Sequence, residues 1–235
     1  LTGEKEVAMY ITELKLKTQF LAALRDFYAG TLAFPFDGQT RPFDTIGFKI
    51  GHTHLIFEQA TDDSEPIYHF AFNIPENQLV EAKMWLSERT KLLTYNGKEI
   101  VEWPAWDAHA IYFTDPAGNV AEFIARHGMS NASIDRFDAK SLLGVSEIGI
   151  AVENVTEAVQ NLHQNLGIDV FDAGDGENFT ALGNDNGLFI VVKRGRNWFP
   201  TDDKPADLYP VSVSMTGAKS GGYQLPGLPY EFFVG

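Results

Sequence analysis

A strand-then-helix pattern recurs along this chain and limits what it can fold into more than any other feature. Tyr10 to Thr18 alternates apolar and polar residues as a half-buried strand does. Gln19 to Phe34 follows with helical spacing, placing Phe20, Leu24 and Phe27 on one face and Gly30 near the stop. A second strand, Ile67 to Ile74, leads into a helical stretch that starts at Pro75. A third, Val145 to Val152, precedes a helix with Val155, Val159 and Leu162 as its apolar stripe and Gly167 at its end. Short strand-like runs follow each helix, turning near Gly51, at Asp115 to Asn119 and at Gly183 to Gly187. The repeating unit is therefore β-α-β-β-β, which makes the fold class α+β.

The repeat is lopsided. Residues up to about 130 hold two full units, whereas those from about 143 hold one, then only the runs Leu208 to Met215 and Leu228 to Val234. The intervening Thr216 to Gly227 is too short for a helix and two further strands. His127 to Lys140 is polar and reads as a connection. The sequence thus predicts two modules, a complete one over 1–130 and a shortened one over 143–235.

Composition narrows the function. With 44% hydrophobic and 21% charged residues, the 235-residue chain can bury a core. No apolar run reaches the roughly 18–20 residues a membrane-spanning helix needs, so no membrane partner is expected. Eighteen basic against 32 acidic residues give a net charge of −14, which repels phosphate backbones and argues against nucleic acid. The absence of cysteine excludes disulfides, thiolate metal sites and cysteine nucleophiles, and fits a reducing, cytoplasmic setting. No phosphate-cradling glycine loop or GxSxG elbow is present. The acidic balance says little about small-molecule partners, because a local pocket can oppose the global sign.

The run Asp115 to Phe123 (DPAGNVAEF), with Tyr112 and Phe113 just upstream and a His-led strand at His69, resembles the vicinal oxygen chelate superfamily. That group includes glyoxalase I, the fosfomycin- and bleomycin-resistance proteins and the extradiol ring-cleavage dioxygenases. The resemblance implies paired β-α-β-β-β units that form open mixed-sheet cups, one of them around a divalent metal that grips two neighbouring oxygens of a substrate. Its ligand places fall on Glu13, His69 and Glu122. Strand parity agrees: if Leu14, Leu16, Phe70, Phe72, Ala121 and Phe123 face the helices, all three candidates face the cups. Tyr112 faces the same way and is the candidate catalytic residue, able to orient a substrate oxygen or act as an acid, though an ordinary packed tyrosine would sit there equally well. One imidazole and two carboxylates suit iron, manganese, nickel or zinc.

This pattern departs from the two-histidine, one-carboxylate set of the ring-cleaving members. The fourth ligand place of glyoxalase-type members falls near Leu55, which cannot ligate, and parity turns the adjacent His54 away. In the second half the matching positions are Glu147, Pro210 and Glu231. Proline offers no ligand, so that half is expected to buttress the first. Trp198 reads as a surface anchor of its loop, and Trp103 and Trp106 as candidates for an apolar pocket wall. The leading expectation is a metal-dependent enzyme of the glyoxalase or ring-cleavage type. The rival is a metal-free cup that traps an aromatic or hydrophobic molecule, signalled by Lys15 pairing with a cup carboxylate. Modules of this kind pair within or between chains, which leaves a homodimer open.

Overall fold

The computed structural model describes residues 8–40 and 44–235. Its strands are β1 (Tyr10–Thr18), β2 (Phe36–Thr40), β3 (Thr45–Ile50), β4 (Thr53–Gln59), β5 (His69–Ile74), β6 (Ile100–Trp103), β7 (Ala108–Thr114) and β8 (Val120–Arg126). After the 131–142 connection come β9 (Gly144–Val152), β10 (Val170–Asp172), β11 (Phe179–Asn184), β12 (Gly187–Lys193), β13 (Val211–Thr216), β14 (Gly221–Gln224) and β15 (Tyr230–Val234). Three helices follow the first strands of their units: α1 (Leu21–Arg25), α2 (Leu79–Ser87) and α3 (Val155–Leu166).

Local chemistry explains these elements. The Asn154 side chain caps α3 by accepting from the Glu157 N–H at 3.1 Å, and Gly167 ends it in the left-handed region at φ 68°. The stretch predicted as one helix over 19–34 is shorter: α1 widens after Arg25 into a turn where the Leu32 N–H reaches the Phe27 carbonyl, five residues back. The second helix begins at Leu79 and not at Pro75, because a turn bonding Gln78 N–H to the Pro75 carbonyl comes first.

Two mixed sheets result, and their composition differs from the predicted halves. The first runs β14-β15-β13-β1-β4-β3-β2, and the second β10-β11-β12-β9-β5-β8-β7-β6. Thus the second and third units pair, β5 antiparallel to β9, to make one complete eight-stranded cup from contiguous residues. The first unit pairs instead with the shortened last one, β1 antiparallel to β13. Neither sheet is confined to 1–130 or to 143–235. The 131–142 segment is a crossing within one sheet and not a boundary between modules.

Behind the two sheets lies one shared apolar core, joining Leu14 and Leu16 of β1, Phe70 and Phe72 of β5, and Ile148 of β9. Thr53 pins the sheets together: its hydroxyl donates to the Ile11 carbonyl at 2.7 Å and accepts the Val145 N–H at 2.9 Å. A second, smaller core lies inside the concave face of the eight-stranded sheet, where Ile124, Ile190 and Trp198 meet.

Candidate metal centre

The concave face of the eight-stranded sheet brings three ligating side chains together. On β5, Ala71 stands directly opposite Glu122 of β8 on one side and Glu147 of β9 on the other. Its methyl group leaves room between the two carboxylates. His69, two residues earlier on the same face, completes the group. One ligand atom from each of His69, Glu122 and Glu147 lies within 4.8 Å of the others. The His69 Nε2 is 3.6 Å from Glu122 Oε2 and 3.8 Å from Glu147 Oε2. All three side chains are buried, both glutamates to 2% exposure.

The surroundings hold these groups in one orientation. His69 Nδ1 lies 3.2 Å from the Val120 carbonyl, an acceptor that places the proton on Nδ1 and leaves the Nε2 lone pair facing the carboxylates. Arg126, itself buried, binds Glu147 Oε1 and also donates to Asn73 Oδ1 at 3.2 Å, so Glu147 Oε2 is the atom turned to the site. Tyr112 stands opposite Glu122 across the β7–β8 ladder and accepts from Trp103 Nε1 at 3.0 Å. Burial, then the Glu147 charge, pushes the Glu122 carboxyl well above its ordinary range. Burial likewise raises the Tyr112 hydroxyl, with the Glu122 and Glu147 charges adding to it.

The Asp115 to Asn119 turn has a structural task. Asp115 accepts from the N–H groups of Ala117 and Asn119, from the Asn119 side chain and from the Tyr28 hydroxyl at 2.9 Å. Asn119 Oδ1 in turn accepts the Tyr68 N–H at 2.8 Å. The turn thereby fixes the start of β8 against β5 and sets the register that places Glu122 beside His69. Burial raises the Asp115 carboxyl to about 6.

A cavity of about 320 Å³ opens over the three ligating groups. Trp103, Trp106 and Phe179 form one wall, and the 194–209 segment closes the other with Trp198 and Phe199. Trp198 is 3% exposed and lies against the His69 ring at 5.7 Å. It is a wall of the cup and not the surface anchor the sequence suggested.

Glu13 does not join this group. It lies in the other sheet, about one-third exposed, with Lys15 Nζ at 4.0 Å and His54 Nδ1 at 3.9 Å. His54 is opposite Glu13 in the parallel β1–β4 register, so it shares the Glu13 face and does not point away, while Leu55 packs in the core. The Lys15–Glu13 pair that would have marked a metal-free cup forms in that other sheet and leaves the His69 cup untouched. Glu147, set aside in the sequence because its supposed partners included Pro210, takes the place assigned to Glu13. The cause is the pairing of units. Both glutamates occupy the equivalent place in a first strand, but the strand across from His69 is β9 and not β1.

Similar folds occur among solved structures. A Bacillus subtilis protein provisionally assigned as a dioxygenase superposes with a TM-score of 0.62 at 15% identity, covering 88% of this chain and 70% of that one. Glyoxalase I from Zea mays gives 0.57 at 11% identity, over 97% and 92% of the two chains. A glutamate-to-glutamine variant of that enzyme gives 0.59, also at 11% identity, over 97% and 93%. The chain therefore shares the fold of these proteins, paired β-α-β-β-β units that form mixed-sheet cups. No protein-family model matches the sequence, and no curated protein shows significant similarity to it.

The pairing of the two central units relates four inward positions of the cup, and these are unequal. Ile190 stands opposite Gly149 on β12 as Glu122 stands opposite Ala71 on β8, so the fourth place is apolar. The remaining donors still suit a divalent ion. Burial and the Glu147 charge both disfavour the ionised form of Glu122, and one arginine serves the two carboxylates. A dication would favour the ionised form.

Proposed function

We propose that this chain is a divalent-metal-dependent enzyme of the glyoxalase or ring-cleavage-dioxygenase type, acting on a small molecule with two neighbouring oxygens. The observation that supports this reading is the convergence of an oriented imidazole and two buried carboxylates on the floor of an aromatic cavity. His69, Glu122 and Glu147 would hold the ion, with iron, manganese, nickel or zinc compatible with one nitrogen and two oxygen donors. When bound, the ion supplies Lewis acidity to adjacent substrate oxygens. The chain's own groups do the rest. The Val120 carbonyl and Arg126 hold two ligands in orientation, the aromatic walls exclude water, and the Tyr112 hydroxyl is placed to hydrogen-bond a substrate oxygen. Among the described residues, no helix is long and apolar enough to cross a membrane.

Elemental analysis of purified protein, before and after reconstitution with each of the four metals, tests the reading. One equivalent of metal in the wild type, lost in both His69→Ala and Glu122→Ala, is the expected result. A correctly folded wild type that retains none of the four would overturn the enzyme reading and leave the metal-free binding cup in its place.

A further inference from the structure

The cup has a second polar end. Its floor is the His69 group, and Arg196 lines the same cavity. Its main chain is held in place, the N–H donating to the Lys193 carbonyl at 3.1 Å and the carbonyl accepting the Ala206 N–H at 2.8 Å. The guanidinium lies over the Phe179 ring at 5.5 Å. Among the described residues no carboxylate lies within ion-pairing distance of it, in a chain with 32 acidic against 18 basic residues. Its near neighbour Arg194 pairs with Glu153 at 3.0 Å and Asp207 at 2.6 Å, and Arg126 pairs with Glu147 and Asp185.

The acids nearby are already engaged. Asp175 accepts from the backbone N–H groups of Glu177, Asn178 and Phe179, and from the Asn178 side chain. Asp172, also on the cavity wall, accepts the Gly174 N–H at 2.9 Å and the Trp106 indole N–H at 2.7 Å. Arg196 is thus an exposed residue at the cavity whose guanidinium no carboxylate contacts, Asp175 acting on it only from beyond ion-pairing distance.

The wall beside Arg196 is aromatic. Trp103 and Trp106 stack with planes 27° apart, and Trp106 and Phe179 with planes 23° apart. Such a row of near-parallel rings accepts another ring in offset stacking. A planar apolar body then suits the middle, an oxygen pair the floor, and an anion the Arg196 end, where a carboxylate matches the guanidinium fork.

We propose that the cup takes a planar aromatic acid whose carboxylate is bound by Arg196, the specificity-determining residue at the end of the cavity opposite in character to the His69 floor. This rests on the reading of the cup as the small-molecule site, but not on the metal. The ring lies along Trp103, Trp106 and Phe179, and its adjacent oxygens point to the floor.

The test uses two probes of the same shape and different charge, 3,4-dihydroxybenzoate and 3,4-dihydroxybenzamide. Their binding to the full chain is measured by calorimetry, with manganese and after chelator treatment. Wild type should bind the benzoate about tenfold or more tightly than the benzamide, the usual scale of a charge-assisted pair. Arg196→Gln should lose that preference, with an unchanged near-ultraviolet dichroism spectrum showing that the variant is folded. Arg196→Lys should recover only part of it, since ammonium lacks the planar fork. Equal binding of the two probes by wild type, an undiminished preference in Arg196→Gln, or no binding of either probe would overturn the proposal. A preference that survives in protein unable to retain any metal would leave the proposal standing and defeat only the metal-dependent reading above.

Discussion

Glu13 and Glu147 occupy the same place in their units, and only their surroundings separate them. Glu147 is 2% exposed, held by Arg126, and faces His69. Glu13 is partly solvated beside Lys15 and His54. Replacing a metal ligand should cost more than the 10- to 100-fold typical of residues that only support one. Glu147→Ala is accordingly expected to weaken manganese binding at least about 100-fold, and Glu13→Ala to leave it within about twofold. Competition titration against a chelating dye measures both. Equal losses in the two variants would mean that the metal sits elsewhere. The placement of His69 and Glu122 on one inward face was legible in the sequence because strand parity and the Asp115 turn are local properties. Glu147 was visible as a first-strand carboxylate, but its role depends on which unit lies across the sheet. That choice is made by contacts some 75 residues apart (residue 71 to residue 147), and parity is silent on it.

At the scale of elements, β9 shows how one strand serves the fold and the site together. Its Ile148 and Ile150 enter the shared core, while Glu147 and Gly149 face the cup. A Cβ on Gly149 would collide with the Trp198 ring, so the missing side chain is what admits this aromatic wall beside His69. Gly149→Ala should push Trp198 outward, lowering stability by about 1–3 kcal/mol, the usual cost of overpacking. Urea unfolding and the shift of tryptophan emission read this directly. An unchanged midpoint with unshifted emission would show that Trp198 is not wedged there. The strand runs and α3 followed from periodicity and capping. The 194–209 segment did not, because nothing in a polar, proline-containing loop reports that it folds back over a sheet assembled around it. Trp198 becomes a cup wall only through contact with His69, which is 129 positions earlier (198 − 69).

For the whole molecule, the order of units matters more than their number. The two central units make the complete cup, and the terminal segments pair around them as the second sheet. The predicted division at 131–142 therefore cuts between β8 and β9 and would leave β5 without β9, and β1 without β13. Each fragment would expose central strand edges and half of the shared core, a surface that favours aggregation or recombination over independent folding. Residues 1–130 and 131–235, produced separately, should each show weak near-ultraviolet dichroism and bind a hydrophobic dye, and mixing them should restore the native spectrum and one site for manganese. A 1–130 fragment that folds alone and holds metal would reinstate the division into halves. The shortened last unit also fits this nesting. It contributes β13, β14 and β15 but no helix, and the face it completes carries Glu13 with Lys15 at 4.0 Å and His54 at 3.9 Å, where the central cup carries three buried candidate ligands. The metal-binding capacity of the fold is thus expected to belong to the central pair alone, with the outer pair acting through the common core that Thr53 and the two sheets share.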